Sequence, residues 1–94
     1  IIHLKDFYVR KKSALPGQTE MFNCNMGSWF ETMGGRMLRG SILGQGDLDI
    51  WEILRVVKAS GFDGYISLEF EGMEPCEQGT EISLAMARAI WERV

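Results

Sequence analysis

The chain contains one histidine, His3, which lies near the end of an apolar segment that is compatible with a β-strand. Glu69 ends a second apolar segment much later in the chain. If the two segments are neighbouring parallel strands, the imidazole and the carboxylate meet at the sheet edge where α/β proteins place their active sites. These groups are ligands for a divalent ion such as manganese, cobalt, magnesium or zinc. A tight site needs further ligands from elsewhere. A structural histidine beside a solvated glutamate is the alternative.

Three basic residues could serve the same site. Lys5 lies two residues after His3 and therefore points to the same face of a strand. Arg36 and Arg39 lie in a stretch rich in glycine and methionine, and a guanidinium suits a phosphate or carboxylate group of a substrate. The alternatives are a surface pair of Lys5 with Asp6 and solvated loop charges at both arginines.

The segment Gly44-Gln45-Gly46 precedes a predicted helix and has the composition of a phosphate-binding loop. Two glycines are a weak signal, and a tight turn that leads into Asp47 is the commoner explanation. Glu71 and Glu74 follow Glu69 in the chain, and we interpret both as surface charges.

The spacing of apolar residues predicts which elements position these side chains. The predicted order is a strand, a long ordered loop that covers the site, a helix capped by Asp49, a strand, and a helix capped by Thr80. The predicted ranges are 1–6, about 7–46, 47–60, 65–70 and 80–93, and residues 7–12 could instead continue the first strand outward. Alternating strands and helices are typical of an α/β fold with a parallel sheet.

Each predicted helix has one apolar stripe that would face the sheet. The stripe of the first helix consists of Ile50, Ile53, Leu54 and Val57. The stripe of the second helix consists of Ile82, Ala85, Met86, Ala89, Ile90 and Arg93. Two strands cannot bury two helices, so we expect the sheet to continue in residues outside this chain or in partner chains.

Composition narrows the classes of protein further. The 94 residues are 46% apolar, 24% charged and 11% aromatic, which indicates one globular domain. The net charge of −3 disfavours a nucleic-acid partner, and no apolar run is long enough to cross a membrane. Cys24 and Cys76 are too few for a disulfide framework, which favours a reducing, cytoplasmic compartment. Because the chain begins with Ile1, we expect it to be a piece of a longer protein.

Three stretches together resemble the C-terminal quarter of the sugar isomerase/epimerase family, whose fold is a xylose-isomerase-like TIM barrel. The first is similar to the HxKD signature of the seventh strand, the second to a GxGxxD turn that leads into a helix, and the third to the eighth strand, G(Y/F)xGxxxxE. In this chain they read Ile2-His3-Leu4-Lys5-Asp6, Leu43-Gly44-Gln45-Gly46-Asp47-Leu48-Asp49, and Gly61-Phe62-Asp63-Gly64-Tyr65-Ile66-Ser67-Leu68-Glu69.

This resemblance implies that residues 1–94 form the last two βα units of an eight-stranded barrel. It implies that His3 and Glu69 bind a divalent metal, that Glu69 also moves a proton, and that Lys5 contacts the substrate. The two other metal ligands of the family and its second acid/base carboxylate have no counterpart in this chain. An arginine often follows the histidine in this family, and both Arg10 and Arg39 are candidates, with Arg39 the residue we assign to substrate binding.

The expected function is therefore part of a metal-dependent isomerase or epimerase that acts on a sugar, a sugar phosphate or a polyol ketone through an enediolate. The expected partners are this small-molecule substrate and either the rest of the barrel or further copies of the chain, without nucleic acid or membrane. One alternative is a metal-dependent nuclease that cleaves DNA at abasic sites, although a single histidine and a negative charge disfavour it. A dehydratase of inositol-type ketones would use the same enolate chemistry. The remaining alternative is a non-catalytic barrel fragment.

Overall fold

The computed structural model describes residues 1–11 and 29–94. In this part of the chain, strands and helices alternate, with three additional strands between the first parallel strand and the first helix. The elements are β1 (Ile2–Leu4), β2 (Asp6–Lys11), β3 (Phe30–Glu31), β4 (Arg36–Ser41), α1 (Ile50–Ala59), β5 (Ile66–Leu68) and α2 (Cys76–Arg93). The sequence also predicts a turn at Pro16-Gly17 and a helical cap at Ser28, and both of these positions lie, with Cys24, outside the described residues.

Strands β1 and β5 form a parallel pair, as the sequence predicts. Ile2 lies opposite Ile66, and Leu4 lies opposite Leu68. These apolar side chains share one face of the pair because side chains alternate along a strand. That face packs on the core, which consists of Leu4, Leu43, Ile50, Leu54 and Ile90.

Helix α1 confirms the prediction for residues 47–60. Its N-cap is Asp49, whose carboxylate accepts a hydrogen bond from the Glu52 backbone N–H at 3.0 Å. The helix ends before Gly61, which has a φ of 75° and so adopts the left-handed conformation that terminates helices. The buried stripe is narrower than predicted: Leu54 is 2% exposed, whereas Ile53 is 39% exposed.

Helix α2 begins at Cys76, one turn earlier than the sequence predicts, so Thr80 lies inside the helix and is not its cap. The C-terminal half of the helix buries Ile90 of the predicted stripe, whereas the N-terminal half buries a different face. Gly79 and Ser83 are buried, while Ile82 and Ala85 of the predicted stripe are exposed. Gly79 faces the Phe70 ring, and Ser83 accepts a hydrogen bond from the Leu43 N–H at 3.0 Å. A count of apolar residues misses this face because its packing uses a small residue and a hydroxyl.

The prediction of a loop over residues 7–46 is wrong for much of the described part. Strands β2, β4 and β3 form an antiparallel sheet in that order. Asp6 lies opposite Ser41 at one end of the β2–β4 ladder, and Lys11 lies opposite Arg36 at the other. Strand β4 contains glycine and arginine, and β3 has only two residues, so neither shows the alternation that predicts a strand.

Gly40 of β4 fixes the position of this antiparallel sheet against the chain that follows Glu69. A side chain at this position would collide with the backbone of Glu71 and Gly72. The absence of a Cβ therefore permits a close approach of two backbones. Through this contact, the antiparallel sheet lies beside the end of β5.

Apolar surface remains uncovered around the parallel pair. A cavity of roughly 460 Å³ opens between β5 and α2, and its lining includes Leu54, Ile66, Leu68 and Trp91. Tyr65 is 84% exposed beside it. A continuation of the sheet, which the sequence predicts, would cover such a surface, and the assignment to a TIM barrel stays a prediction. Within the described ranges, no helix has the length and apolar character required to cross a membrane.

Candidate functional site

His3 and Glu69 meet at the carboxyl ends of β1 and β5. His3 lies opposite Ser67 in the parallel register, and the Glu69 N–H donates to the Leu4 carbonyl at 2.9 Å. This register brings the Glu69 side chain to the face that carries His3. The His3 Nδ1 and the Glu69 Oε1 are in direct contact. The sequence-based prediction that these two distant residues converge is therefore confirmed.

Lys5 completes a charged cluster at the same edge. Its Nζ lies 2.7 Å from the Glu69 Oε2 and 3.3 Å from the Glu71 Oε1. The cluster therefore contains four side chains, those of His3, Lys5, Glu69 and Glu71. The two-residue spacing within each pair places both of its side chains on the same side of the extended chain. Glu71, which we interpret from the sequence as a surface charge, belongs to this cluster. Its two-residue spacing from Glu69 was the available signal.

The contacts in this cluster favour the ionised forms of Glu69 and Lys5. The hydrogen bond from Lys5, followed by the hydrogen bond with His3, lowers the pKa of Glu69 from its ordinary value of 4.5. The same pairing with Glu69, reinforced by Glu71, raises the pKa of Lys5 above 10.5. Glu69 is therefore a carboxylate at neutral pH, as both a metal ligand and a proton acceptor must be.

The cluster is accessible from solvent. The side chain of His3 is 55% exposed and that of Glu69 is 31% exposed. A ligand or an ion can therefore reach both groups without a rearrangement of the core.

Asp6 has a different role from the surface pair considered above. It is only 2% exposed, and its Oδ2 accepts hydrogen bonds from the N–H groups of Gly44 at 2.9 Å and Gly46 at 3.0 Å. Its Oδ1 accepts from the N–H groups of Phe7 at 2.8 Å and Leu48 at 3.3 Å. The Asp6 carboxylate thus occupies the backbone N–H donors that a bound phosphate would require. The segment Gly44-Gln45-Gly46 is therefore a tight turn, stabilised by Asp6, and not a phosphate-binding loop.

Asp47 closes the free edge of β2. Its N–H donates to the Phe7 carbonyl at 2.8 Å, and its carboxylate accepts from the Val9 N–H at 2.6 Å. The same carboxylate pairs with the Arg10 guanidinium at 2.6 Å. The Val9 N–H, followed by Arg10, lowers the pKa of Asp47 from 3.8. Arg10 is therefore engaged in a structural contact, which distinguishes it from Arg39.

Arg39 lies on β4 opposite Tyr8 of β2. Its guanidinium carbon is 4.9 Å from the centre of the Tyr8 ring and 5.3 Å from the centre of the Trp29 ring. Its Nη1 contacts the Met73 sulfur at 3.6 Å. Met73 lies four residues after Glu69, so Arg39 is held on the segment that leaves the end of β5.

The imidazole nitrogen of His3 and the carboxylate of Glu69 suit a divalent cation as two of its ligands. Within residues 1–11 and 29–94, no group of three or more histidine, cysteine, aspartate or glutamate side chains is arranged to hold a metal ion. The metal site that the sequence predicts stays a prediction. No protein-family model, no curated protein and no solved structure matches this chain.

Proposed function

We propose that the chain forms part of a divalent-metal-dependent isomerase or epimerase that acts on a sugar or a related hydroxyketone. The observation that supports this proposal is the contact of His3 with Glu69 at the carboxyl ends of two adjacent parallel strands. An imidazole and a carboxylate at this edge match both a metal-ligand set and an acid/base pair.

Glu69 would accept the proton from the carbon beside the substrate carbonyl and later return it. Lys5 holds the second oxygen of Glu69 in place at 2.7 Å, and the lowered pKa keeps Glu69 ionised and able to bind a cation. Lys5 would also donate a hydrogen bond to a substrate oxygen. A second carboxylate on the opposite side of the carbon, expected outside this chain, would complete the proton transfer.

His3 and Glu69 would hold the cation together with ligands from the rest of the barrel. The cation, when bound, supplies charge that stabilises the oxygen anion formed as the carbon loses its proton. The proposed setting is the cytoplasm, since the described Cys76 is a free thiol.

A second candidate is a structural ion-pair network without catalysis. The observation that favours it is that His3 and Lys5 already contact both oxygens of Glu69. In that case the cluster only joins the ends of β1 and β5.

Metal binding separates the two candidates. We expect the intact protein to bind Mn²⁺, measured by electron paramagnetic resonance, and we expect His3→Ala and Glu69→Gln to weaken binding tenfold or more. Glu52→Gln is the matched control, because Glu52 is also an exposed carboxylate in an ion pair, with Arg55 at 2.6 Å. Unchanged Mn²⁺ binding in both site variants, with lowered stability, would support the structural network instead.

Proton exchange tests the chemistry itself. In deuterated water, the intact protein should introduce deuterium beside the carbonyl of a ketose substrate, and Glu69→Gln should slow this exchange by about 10²- to 10⁴-fold. Mass spectrometry of the recovered sugar measures the exchange. An equal exchange rate in the wild type and Glu69→Gln would exclude Glu69 as the base.

A further inference from the structure

The cavity between β5 and α2 is open to solvent and has apolar walls. Ile66 and Leu68 of β5 form one wall, and Leu84 and Trp91 of α2 form the other. Leu84 is 39% exposed, and Trp91 is only partly buried. A contiguous apolar surface of this kind is typical of sites that bind another protein segment. We call this surface the β5–α2 groove.

Strand β5 has a free edge beside the β5–α2 groove. Among the residues that the structure describes, β5 pairs only with β1. The Tyr65 carbonyl and the Glu69 N–H both bond to β1, at 2.9 Å. Because the backbone groups of successive residues point to opposite edges of a strand, those of Ile66 and Leu68 point away from β1. A segment that covers the groove can therefore also pair with these backbone groups.

Helix α2 carries a second apolar stripe, which faces the groove. Leu84, Ala87 and Trp91 are spaced three and four residues apart, which is the spacing of positions that meet in a pair of packed helices. The first face of the helix, which includes Ser83 and Ile90, is buried against the core of the same chain. The helix therefore offers a second face to another element.

Two charged side chains flank this stripe on one side. Glu81 and Arg88 are exposed and lie seven residues apart, which is two helical turns. Neither belongs to an ion pair within residues 1–11 and 29–94. If two copies of α2 pack antiparallel about a two-fold axis, Glu81 of each copy meets Arg88 of the other. In a parallel pair, like charges would lie level with each other. The charge pattern is therefore complementary to itself in one orientation only.

From these observations we propose that the β5–α2 groove binds a second copy of this chain about a two-fold axis. Helix α2 of one copy packs antiparallel on α2 of the other, and two pairs of Glu81 with Arg88 flank the contact. The same axis sets the free edges of the two β5 strands antiparallel, so that the backbone groups of Ile66 and Leu68 pair across it. This inference is independent of the proposed function. It assigns the continuation of the sheet to a partner chain.

Reversal of the two charges tests the proposal. We expect sedimentation equilibrium of the intact protein at about 1–100 μM to show dimers. Glu81→Arg and Arg88→Glu should each weaken dimerisation about tenfold or more, because each creates two like-charge contacts per dimer. An equimolar mixture of these two variants, and the double variant, should both recover wild-type affinity. Arg36→Glu is the matched control, since Arg36 is also exposed and has no ion pair among the described residues. It should leave dimerisation unchanged.

Three outcomes of this experiment would overturn the proposal. A wild-type protein that stays monomeric over the whole range would indicate that residues of the same polypeptide cover the groove. Dimers that are equally stable in the wild type, Glu81→Arg and Arg88→Glu would place the contact elsewhere. A mixture of the two variants that stays monomeric, although both have the wild-type circular dichroism spectrum, would exclude the reciprocal ion pairs.

Hydrogen exchange gives an independent measurement at β5. The N–H groups of Ile66 and Leu68 should exchange more slowly as the protein concentration rises through the range of dimerisation. The Glu69 N–H, which bonds to the Leu4 carbonyl within one chain, is the internal control and should change little. Arg88→Glu should abolish the dependence on concentration. Exchange of Ile66 and Leu68 that is independent of concentration in the wild type would contradict pairing of the two β5 edges.

Discussion

The parallel pair β1–β5 and the antiparallel sheet β2–β4–β3 are built from the same short chain by different means. The parallel pair uses apolar residues on one face, which pack on both helices, and it carries the His3–Glu69 contact on the other. The antiparallel sheet is stabilised by two carboxylates that accept backbone hydrogen bonds, those of Asp6 and Asp47. It is also positioned by Gly40, which lies close to the backbone of Glu71 and Gly72. The first region thus depends on hydrophobic periodicity, and the second on a few specific polar and steric contacts.

This difference predicts where the chain is sensitive to substitution. Burial of several apolar side chains distributes stability over many contacts, so one polar change at an exposed edge has a small effect. A single carboxylate that satisfies several backbone N–H groups concentrates stability in one residue. The antiparallel sheet should therefore respond more strongly to single polar substitutions than the parallel pair.

The largest effect on stability is expected for Asp6→Ala. The variant removes the acceptor for the N–H groups of Gly44, Gly46 and Leu48, which lie in a turn beside the buried core. We expect a loss of roughly 2–4 kcal/mol in the free energy of unfolding, measured by urea denaturation. Asp6→Asn, which keeps one acceptor oxygen, should lose less. Equal and small losses in both variants would mean that this turn does not depend on the carboxylate.

A smaller effect is expected for Gly40→Ala in the same region. The added methyl group would collide with the backbone of Glu71 and Gly72, which cannot yield as a flexible side chain does. We expect a destabilisation of about 1–3 kcal/mol from overpacking. Gly34→Ala is the matched control, since its Cβ would lie 3.9 Å from the nearest atom, the Thr32 Oγ1. If Gly40→Ala is as stable as Gly34→Ala, the antiparallel sheet does not dock on the end of β5 as described.

The smallest effect is expected in acid, and it compares one carboxylate from each region. Lys5 lowers the pKa of Glu69 below 4.5, and the Val9 N–H lowers the pKa of Asp47 below 3.8. In the pH range below these values the unfolded chain binds more protons than the folded chain, so stability decreases as the pH falls. Above those values both contributions are fully present.

Two variants show which region causes the loss of stability in acid. Urea denaturation at a series of pH values should show a weaker dependence below about pH 4.5 for Glu69→Gln, and below about pH 3.8 for Asp47→Asn. Stability above these values should vary little with pH in either variant. Slopes identical to the wild type would show that other carboxylates control acid unfolding.

Much of the parallel region could be predicted from the sequence. The capping arrangement of Asp49 with Glu52, the helix stop at Gly61 and the apolar alternation of Ile66 and Leu68 act within a few residues. The convergence of His3 and Glu69 followed from one further assumption, that the two strands are parallel neighbours. The antiparallel sheet could not be predicted in this way, because its ladder joins residues about 30 positions apart through backbone groups that every residue possesses.

Short-range signals in the sequence are sufficient to predict three features: the start and end of α1, the two parallel strands, and the residue types available at the ends of those strands. The role of each of those residues depends on contacts between distant parts of the chain. In the folded chain, Asp6 is buried in the turn and Arg10 pairs with Asp47. Arg39 has no carboxylate partner among the described residues, and Ser83 of α2 faces the core. The physical reason is that a cap or a periodicity depends on neighbours in the chain, whereas the role of a charged or hydroxyl side chain depends on which distant donors and acceptors the fold brings within hydrogen-bonding distance.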